Sequence, residues 1–514
     1  MKEFNVEGTC FPTMHYMVDI TKRLEKMETL IKNGKYFCIN RGRQYGKTTT
    51  INSLCDYLKE DYSVFSITFE DVSDKSFESI EKLLAKVVYK MYESVMFDEV
   101  YNLSNQNKSL LEELAEKSEM SDNEFTFFVA KFTKNNKKPI VLIIDEVDQA
   151  SNYEAFLKFL GILRAAYLKR DKRPMFSSII LASVYDVKNL KFKIPGSTGS
   201  LNSPWNIATS FDEPMEFDAS GIAGMLKEYA IDHEISFDIE YMAQQIEKYT
   251  GGYPALVCRL CKKIDEEKLG WNREGLLTAL RNLLKESNTL FDDLCKKIED
   301  NPEIKNVFKQ ILYVGESYAF DINNRVLNLA YAFRFIKNNN GKVQIANPIF
   351  ETVLYNLFLS EEEVSGRVKS VDRNQFISNG RLDIELVLEK FSQHYNDIYD
   401  TNDIKMLEAD CRRIFMLYVK PIINGTGNYY IEAENRDGTR TDMIIDYLGE
   451  QFVLEMKIWR GEIYQQKGEL QLADYLDKLN ADRGYLVIFN FNHNKVVGRT
   501  EKIVDGKQII EFVI

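Results

Sequence analysis

Short apolar runs alternate with longer amphipathic stretches through the first half of the chain. The runs at 36–40, 64–69, 139–144 and 177–182 carry the β-branched and aromatic residues that suit strands. The third is apolar throughout, which predicts a strand buried on both faces. Helix-period stretches separate the runs, and that alternation predicts a parallel α/β sheet. A polar, charged stretch at about 97–137 predicts a helical insertion before the third strand.

From about 216 to 300 the period is helical. Thr250, Gly251, Gly252, Tyr253 and Pro254 interrupt it, and a new helix is expected from Ala255. Positions 301–360 mix helices with a strand-like run at 341–346, the pattern of a small winged-helix unit. Positions 361–402 read as a polar helical connector. From about 403 a long helix leads into strand signals at 428–434, 441–447, 451–458 and 484–491. The fold class expected is therefore α/β and multidomain, with a second, separate α/β domain at the C-terminal end.

The length of 514 residues exceeds one ordinary core and suggests about three to four domains. With 45% hydrophobic and 28% charged residues, the composition is that of a globular chain. No apolar run approaches the roughly 20 residues that cross a bilayer, so no membrane partner is expected. The first residues lack the basic start and apolar core of a secretion signal. Seven scattered cysteines, an odd number, argue against a disulfide framework and fit a reducing cytoplasm. A net charge of -12 argues against a surface coated for non-specific nucleic-acid binding. A local basic groove stays open, because phosphate contact depends on local charge.

The first chemistry lies just after the first strand, at Arg41, Gly42, Arg43, Gln44, Tyr45, Gly46, Lys47 and Thr48, with Thr49 opening a helix. A glycine turn at a helix N-terminus aims backbone N–H groups at phosphate oxygens. Lys47 would reach the β- and γ-phosphates, Thr48 would bind Mg2+, and Gly42, Gly46 and Thr49 complete the nucleotide set. The usual first glycine is replaced by Arg41, and Gly42 sits one residue late. Arg41 and Arg43 have two readings: a solvated basic turn, or added charge against phosphate or DNA. Asp145 and Glu146 end the apolar third strand. An acid there holds Mg2+ through water, and the following Glu polarises the attacking water. Capping of the next helix is the less favoured alternative for the pair. Ser183, after the fourth strand, is a γ-phosphate sensor or a simple strand-end residue. Arg164 is a candidate arginine finger, with a surface helix arginine the favoured reading.

The second chemistry lies near the C-terminal end. If Leu448 and Gly449 form a two-residue turn, Asp442 faces Glu455 directly across the hairpin and Lys457 shares that face. Asp446 shares the face but lies roughly 13 Å further along, so Asp442 is the better ligand. Two facing carboxylates repel and raise each other's pKa, a cost that Mg2+ would remove. Such a metal acidifies water, and Lys457 would orient it for attack on a phosphodiester. Taken alone, the pattern also fits a cross-strand polar cluster. Gln471 and Tyr475 follow at i, i+4 on one helix face and would contact the scissile phosphate. Glu408 on the preceding helix is a further candidate acid, with a solvated role favoured. Cys258 and Cys261 have metal-like spacing without a second pair and read as core thiols.

The motifs at 15–19, 40–48, 145–148, 202–206 and 250–254 resemble a bacterial family of AAA-like P-loop ATPases that carry a C-terminal PD-(D/E)XK nuclease-like domain. The resemblance continues through 420–425, 440–442, 455–461, 471–475 and 484–488. Thr441 stands where that motif's name has Pro, and Arg41 replaces the first loop glycine. The resemblance implies a P-loop ATPase core at 1–215, a helical lid at 216–300, a winged-helix-like unit at 301–360, a connector at 361–402 and a nuclease-like domain at 403–514. It implies ATP and Mg2+ as cofactors, with Mn2+ serving at the nuclease site, and DNA and a homo-oligomeric partner. A role in defence or with mobile elements is the common supposition for the family. The expected function is an ATP-regulated, Mg2+-dependent DNA nuclease. The alternative is a nucleotide-dependent switch that binds nucleic acid or a protein partner without cleavage.

Overall fold

The computed structural model describes the chain apart from residue 1 and residues 98–102, 185–186, 188–190, 194–199, 212, 315–317, 365–375, 379, 399–407, 424–426, 432–441, 480 and 493–494. It divides into two compact units, one of residues 1–243, 252–262 and 331–334, the other of residues 244–251, 263–330 and 335–514.

The first unit is built on five strands: β1 (Phe37–Asn40), β2 (Ser63–Thr68), β3 (Ile140–Asp145), β4 (Ser178–Ser183) and β5 (Thr209–Ser210). Their order across the sheet is β2-β3-β4-β1-β5, and every pairing is parallel. β3 and β4 are buried at all positions, which is why they read as unbroken apolar runs. Parallel neighbours need crossovers, and helices supply them: α1 (Lys47–Leu58) follows β1, α2 (Asp122–Lys134) precedes β3, and α3 (Glu154–Tyr167) joins β3 to β4. Leu142, Ile144, Phe128, Phe156 and Leu160 lie in one continuous core. β4 runs between β1 and β3, so the ends of those three strands open on one edge.

The helical run after the sheet includes α4 (Ile239–Thr250), α5 (Pro254–Glu266) and α6 (Arg273–Lys285). Further on come α7 (Pro302–Lys309), α8 (Arg325–Ala332), an antiparallel hairpin of β6 (Ile336–Asn339) and β7 (Lys342–Ile345), and α9 (Pro348–Val364).

The C-terminal sheet belongs to the second unit. After α10 (Glu408–Ile423) come β8 (Gly427–Ile431), β9 (Asp442–Tyr447), β10 (Glu450–Ile458), α11 (Glu462–Lys478), β11 (Arg483–Phe489), β12 (Gly498–Val504) and β13 (Lys507–Val513). Their order is β8-β9-β10-β11-β13-β12. β10, β11 and β13 run parallel, and the outer pairings are antiparallel. α11 is the crossover between β10 and β11. No described helix is long and apolar enough to cross a membrane.

Candidate functional site

The loop at 41–46 leads from β1 into α1. Gly46 adopts a left-handed backbone (φ 72°) as the residue before the helix, and no side chain caps α1. The first N–H groups of a helix lack intrahelical partners, so this end suits an anion. Lys47 is buried, and its ammonium donates to the carbonyls of Arg41 (3.1 Å) and Gly42 (3.2 Å). Burial pulls the Lys47 pKa down, while Glu146, Asp145 and Asp148 pull it back up. The Thr48 hydroxyl donates to Asp145 Oδ2 at 2.8 Å, joining the loop to the end of β3. Thr49 turns the other way: its hydroxyl accepts the Cys10 N–H at 3.2 Å.

Glu146 follows Asp145 in a left-handed conformation (φ 53°), rare for a side chain of this size. Its N–H donates to Asp145 Oδ1 at 2.8 Å. Burial pushes its carboxyl above the usual glutamate range; Lys47 offsets part of that, and Asp145 and Asp148 add to it. A half-buried Glu with a raised pKa beside an Asp is the pairing expected of a water-activating base next to a metal ligand.

The solvated-turn reading of Arg41 does not hold. It is buried, so it does not lie in a solvated turn, and its guanidinium points at protein carbonyls instead of solvent. Nη1 donates to Asn40 O at 2.8 Å and Nη2 to Glu213 O at 2.6 Å. Burial and the nearby Arg334 lower its pKa to about 10. The arginine thus stitches the loop to the segment at 213. Gly42 is the glycine the loop cannot replace, since a Cβ there would lie 2.9 Å from the Phe333 carbonyl oxygen. Ser183 donates to Asn40 Oδ1 at 2.9 Å and ties the ends of β4 and β1 together. Arg164 lies half-buried in the last turn of α3.

Three loop contacts escape sequence reasoning. The Tyr253 hydroxyl, from the turn between α4 and α5, donates to the Arg43 carbonyl at 2.5 Å. Its ring meets Tyr45 edge-on at 4.5 Å, and Tyr45 donates to Glu216 at 2.7 Å. The turn itself is held by Gly252 (φ 70°), where a Cβ would lie 2.3 Å from the Phe217 carbonyl.

In the second unit, Leu448 (φ 52°) and Gly449 (φ 90°) form the two-residue turn, and Tyr447 pairs with Glu450. The register puts Asp442 opposite Glu455. Arg440 and Thr441 lie outside the described residues. Glu455 is fully buried, and neither of its oxygens accepts a hydrogen bond among the described residues. The Lys457 ammonium sits 2.9 Å from Glu455 Oε1, close enough for charge attraction but off the direction of a hydrogen bond. A buried carboxylate is costly unless it is paired, and among the described residues Lys457 is its charge partner. Gln471 and Tyr475 lie on α11, half-buried and buried, and the Lys248 ammonium from α4 lies 5.7 Å from the Tyr475 ring centre. Asp446 has a structural partner: its Oδ1 lies 2.9 Å from Arg281 of α6. Cys261 is buried and Cys258 half-buried, in keeping with core thiols.

A charged network on the same sheet was not anticipated. Glu511 of β13 accepts from Gln465 (3.1 Å) and Thr500 (3.0 Å), and Lys502 lies 2.8 Å from Glu469 and 3.0 Å from Glu511. Burial and the hydrogen bond to Glu511 raise the Glu469 carboxyl, while bonds from Glu469, Lys502 and Gln465 hold Glu511 down against burial. The available signal was a lone acid inside the apolar run at 509–513.

A family described as an AAA-like domain matches residues 13–356. No curated protein matches the chain. Among solved structures, a Walker-type ATPase of Pyrococcus abyssi is 14% identical, covering 68% of this chain and 99% of its own, with a TM-score of 0.48. The ORC2 protein of Aeropyrum pernix in ADPNP–ADP complexes is 9% identical over 67% of this chain and 93% of its own, with a TM-score of 0.37. The ORC1 protein of Aeropyrum pernix in complex with DNA is 11% identical over 68% and 94%, with a TM-score of 0.28.

Proposed function

This chain belongs to the AAA-like domain family, and on that premise we propose that it binds and hydrolyses ATP to control a Mg2+-dependent DNA nuclease in its C-terminal domain. The nucleotide half rests on one observation: the Thr48 hydroxyl meets the Asp145 carboxylate at 2.8 Å. A hydroxyl and a carboxylate so paired are the donor set for Mg2+ in P-loop enzymes. Thr48 and Asp145 would hold the ion, which when bound neutralises charge between the β- and γ-phosphates. Lys47 would leave the loop carbonyls for phosphate oxygens. Glu146, with its raised pKa, would take the proton of the attacking water.

The nuclease half rests on Glu455, buried without a hydrogen bond and opposite Asp442. These two carboxylates would hold the divalent ion, Mg2+ or Mn2+, that supplies Lewis acidity to phosphodiester hydrolysis. Lys457 would orient water, and Gln471 and Tyr475 would contact the phosphate. We read α7, α8, the β6–β7 hairpin and α9 as a winged-helix unit that would help to carry the DNA.

The test is cleavage of end-labelled DNA with Mg2+, with and without ATP. Wild type should cut in an ATP-dependent way, Lys457→Ala should not cut, and Lys47→Ala should lose the ATP dependence. Equal cleavage by all three proteins, or none by any, overturns the reading. DNA binding that survives in Asp442→Ala, with no cleavage in either metal, marks a switch that binds without cutting.

A further inference from the structure

A groove of about 220 Å3 lies between α2 and α3 in the first unit, away from the nucleotide loop. Its lining combines apolar Phe125, Val129, Ile162 and Ala166, the first two buried, with one acid, Asp122, and two bases, Lys169 and Arg173. Two large apolar side chains on the same helices and turn stand out in solvent, Phe127 at 71% and Leu168 at 61% exposure.

The turn after α3 is the second observation. Lys169, Arg170, Lys172 and Arg173 crowd five positions with Asp171 as their one acid, in a chain of net charge -12. All are exposed. Arg170 is committed, its guanidinium 3.7 Å from the centre of the Tyr167 ring. Lys169, Lys172 and Arg173 form no ion pair among the described residues, whereas Lys158, earlier on α3, pairs with Glu154 at i, i+4. Like charges held this close repel one another, a cost that an anionic partner relieves.

We propose that this groove docks an acidic amphipathic helix of a protein partner. One or two of its bulky apolar side chains enter between α2 and α3, and its carboxylates meet Lys169 and Arg173. The volume suits such anchors and is small for a whole ligand. Nucleic acid fits the lining less well: its aromatic residue, Phe125, is buried and offers no face for base stacking. The proposal does not depend on the nuclease reading.

The probe is a fluorescein-labelled helical peptide of about 18 residues, with Leu at i, i+4 and i+7 spacing and Glu elsewhere, titrated against the full chain by anisotropy. Binding should weaken at least about tenfold in Ala166→Trp, which fills the groove, and in the double variant Lys169→Glu/Arg173→Glu. A scrambled peptide of the same composition should bind no better than those variants allow. Melting curves check that each variant is folded, and the charge reversal decides should Ala166→Trp be unstable. No binding, equal binding by the scrambled peptide, or affinity untouched by both variants overturns the proposal. Displacement of the peptide by a DNA duplex of about 20 base pairs at equal concentration also overturns it, by assigning the patch to nucleic acid.

Discussion

At the scale of single residues, Arg41 separates sequence pattern from physical role. Read as a departure from the phosphate-loop pattern, it invites repair by glycine. In the fold its guanidinium satisfies two carbonyls and fills buried space. Arg41→Gly should therefore lower stability by about 2 kcal/mol, measured by denaturant melts, without tightening nucleotide binding. Glu146 allows a prediction about pH. Its raised pKa means that the ionised, proton-accepting form is lost at a higher pH than for an ordinary glutamate. ATP hydrolysis should thus rise with pH through a midpoint above the usual glutamate range. Glu146→Gln should keep nucleotide affinity, lower turnover about a hundredfold or more and flatten that profile. Lys47, Thr48, Asp145 and the facing of Asp442 and Glu455 were legible because strand ends and a two-residue turn fix local geometry. Tyr253 was not: its partner carbonyl lies 210 positions away, and nothing in the local sequence encodes such a meeting.

At the scale of elements, unbroken apolar strands announced themselves, whereas the exposed β12 and the buried β13, whose apolar run Glu511 interrupts, did not. β3 and β4 are covered on both faces and appear as apolar runs. β12 is exposed at nearly every position, so its sequence of charged and small residues carries no alternation to detect. Missing β12 and β13 hid the Glu469–Glu511–Lys502 network, which spans α11 and both strands. A second element-level feature is the pair Arg281–Asp446, joining α6 to β9 with side chains 16% and 2% exposed. Removing one partner strands a buried charge, so Arg281→Met should cost about 3 kcal/mol in chemical unfolding. The double variant Arg281→Met/Asp446→Asn should recover part of that loss, because a neutral amide needs no counter-charge and its oxygen still accepts the Gly449 N–H.

At the scale of the whole molecule, the parallel α/β sheet of the first unit was readable from alternation, since crossovers force helices between parallel strands, and its P-loop-like ATPase character from the loop motif. Global charge was a weaker guide: a net -12 coexists with a basic turn at 169–173, because net charge averages over surfaces that act locally. The C-terminal sheet also implies an order of assembly. β9 and β10 are joined by two residues, so their pairing is local and quick, while β11 and β13 pair across intervening chain and must close longer loops. Pulsed hydrogen exchange during refolding should therefore protect 442–458 before 483–513, and simultaneous protection would contradict it. The hairpin bearing Asp442 and Glu455 would then exist for a time without the strands that flank it. Its two facing carboxylates would be hydrated and mutually repelling in that interval, so divalent cations should speed the folding of this sheet as well as serve any reaction it performs.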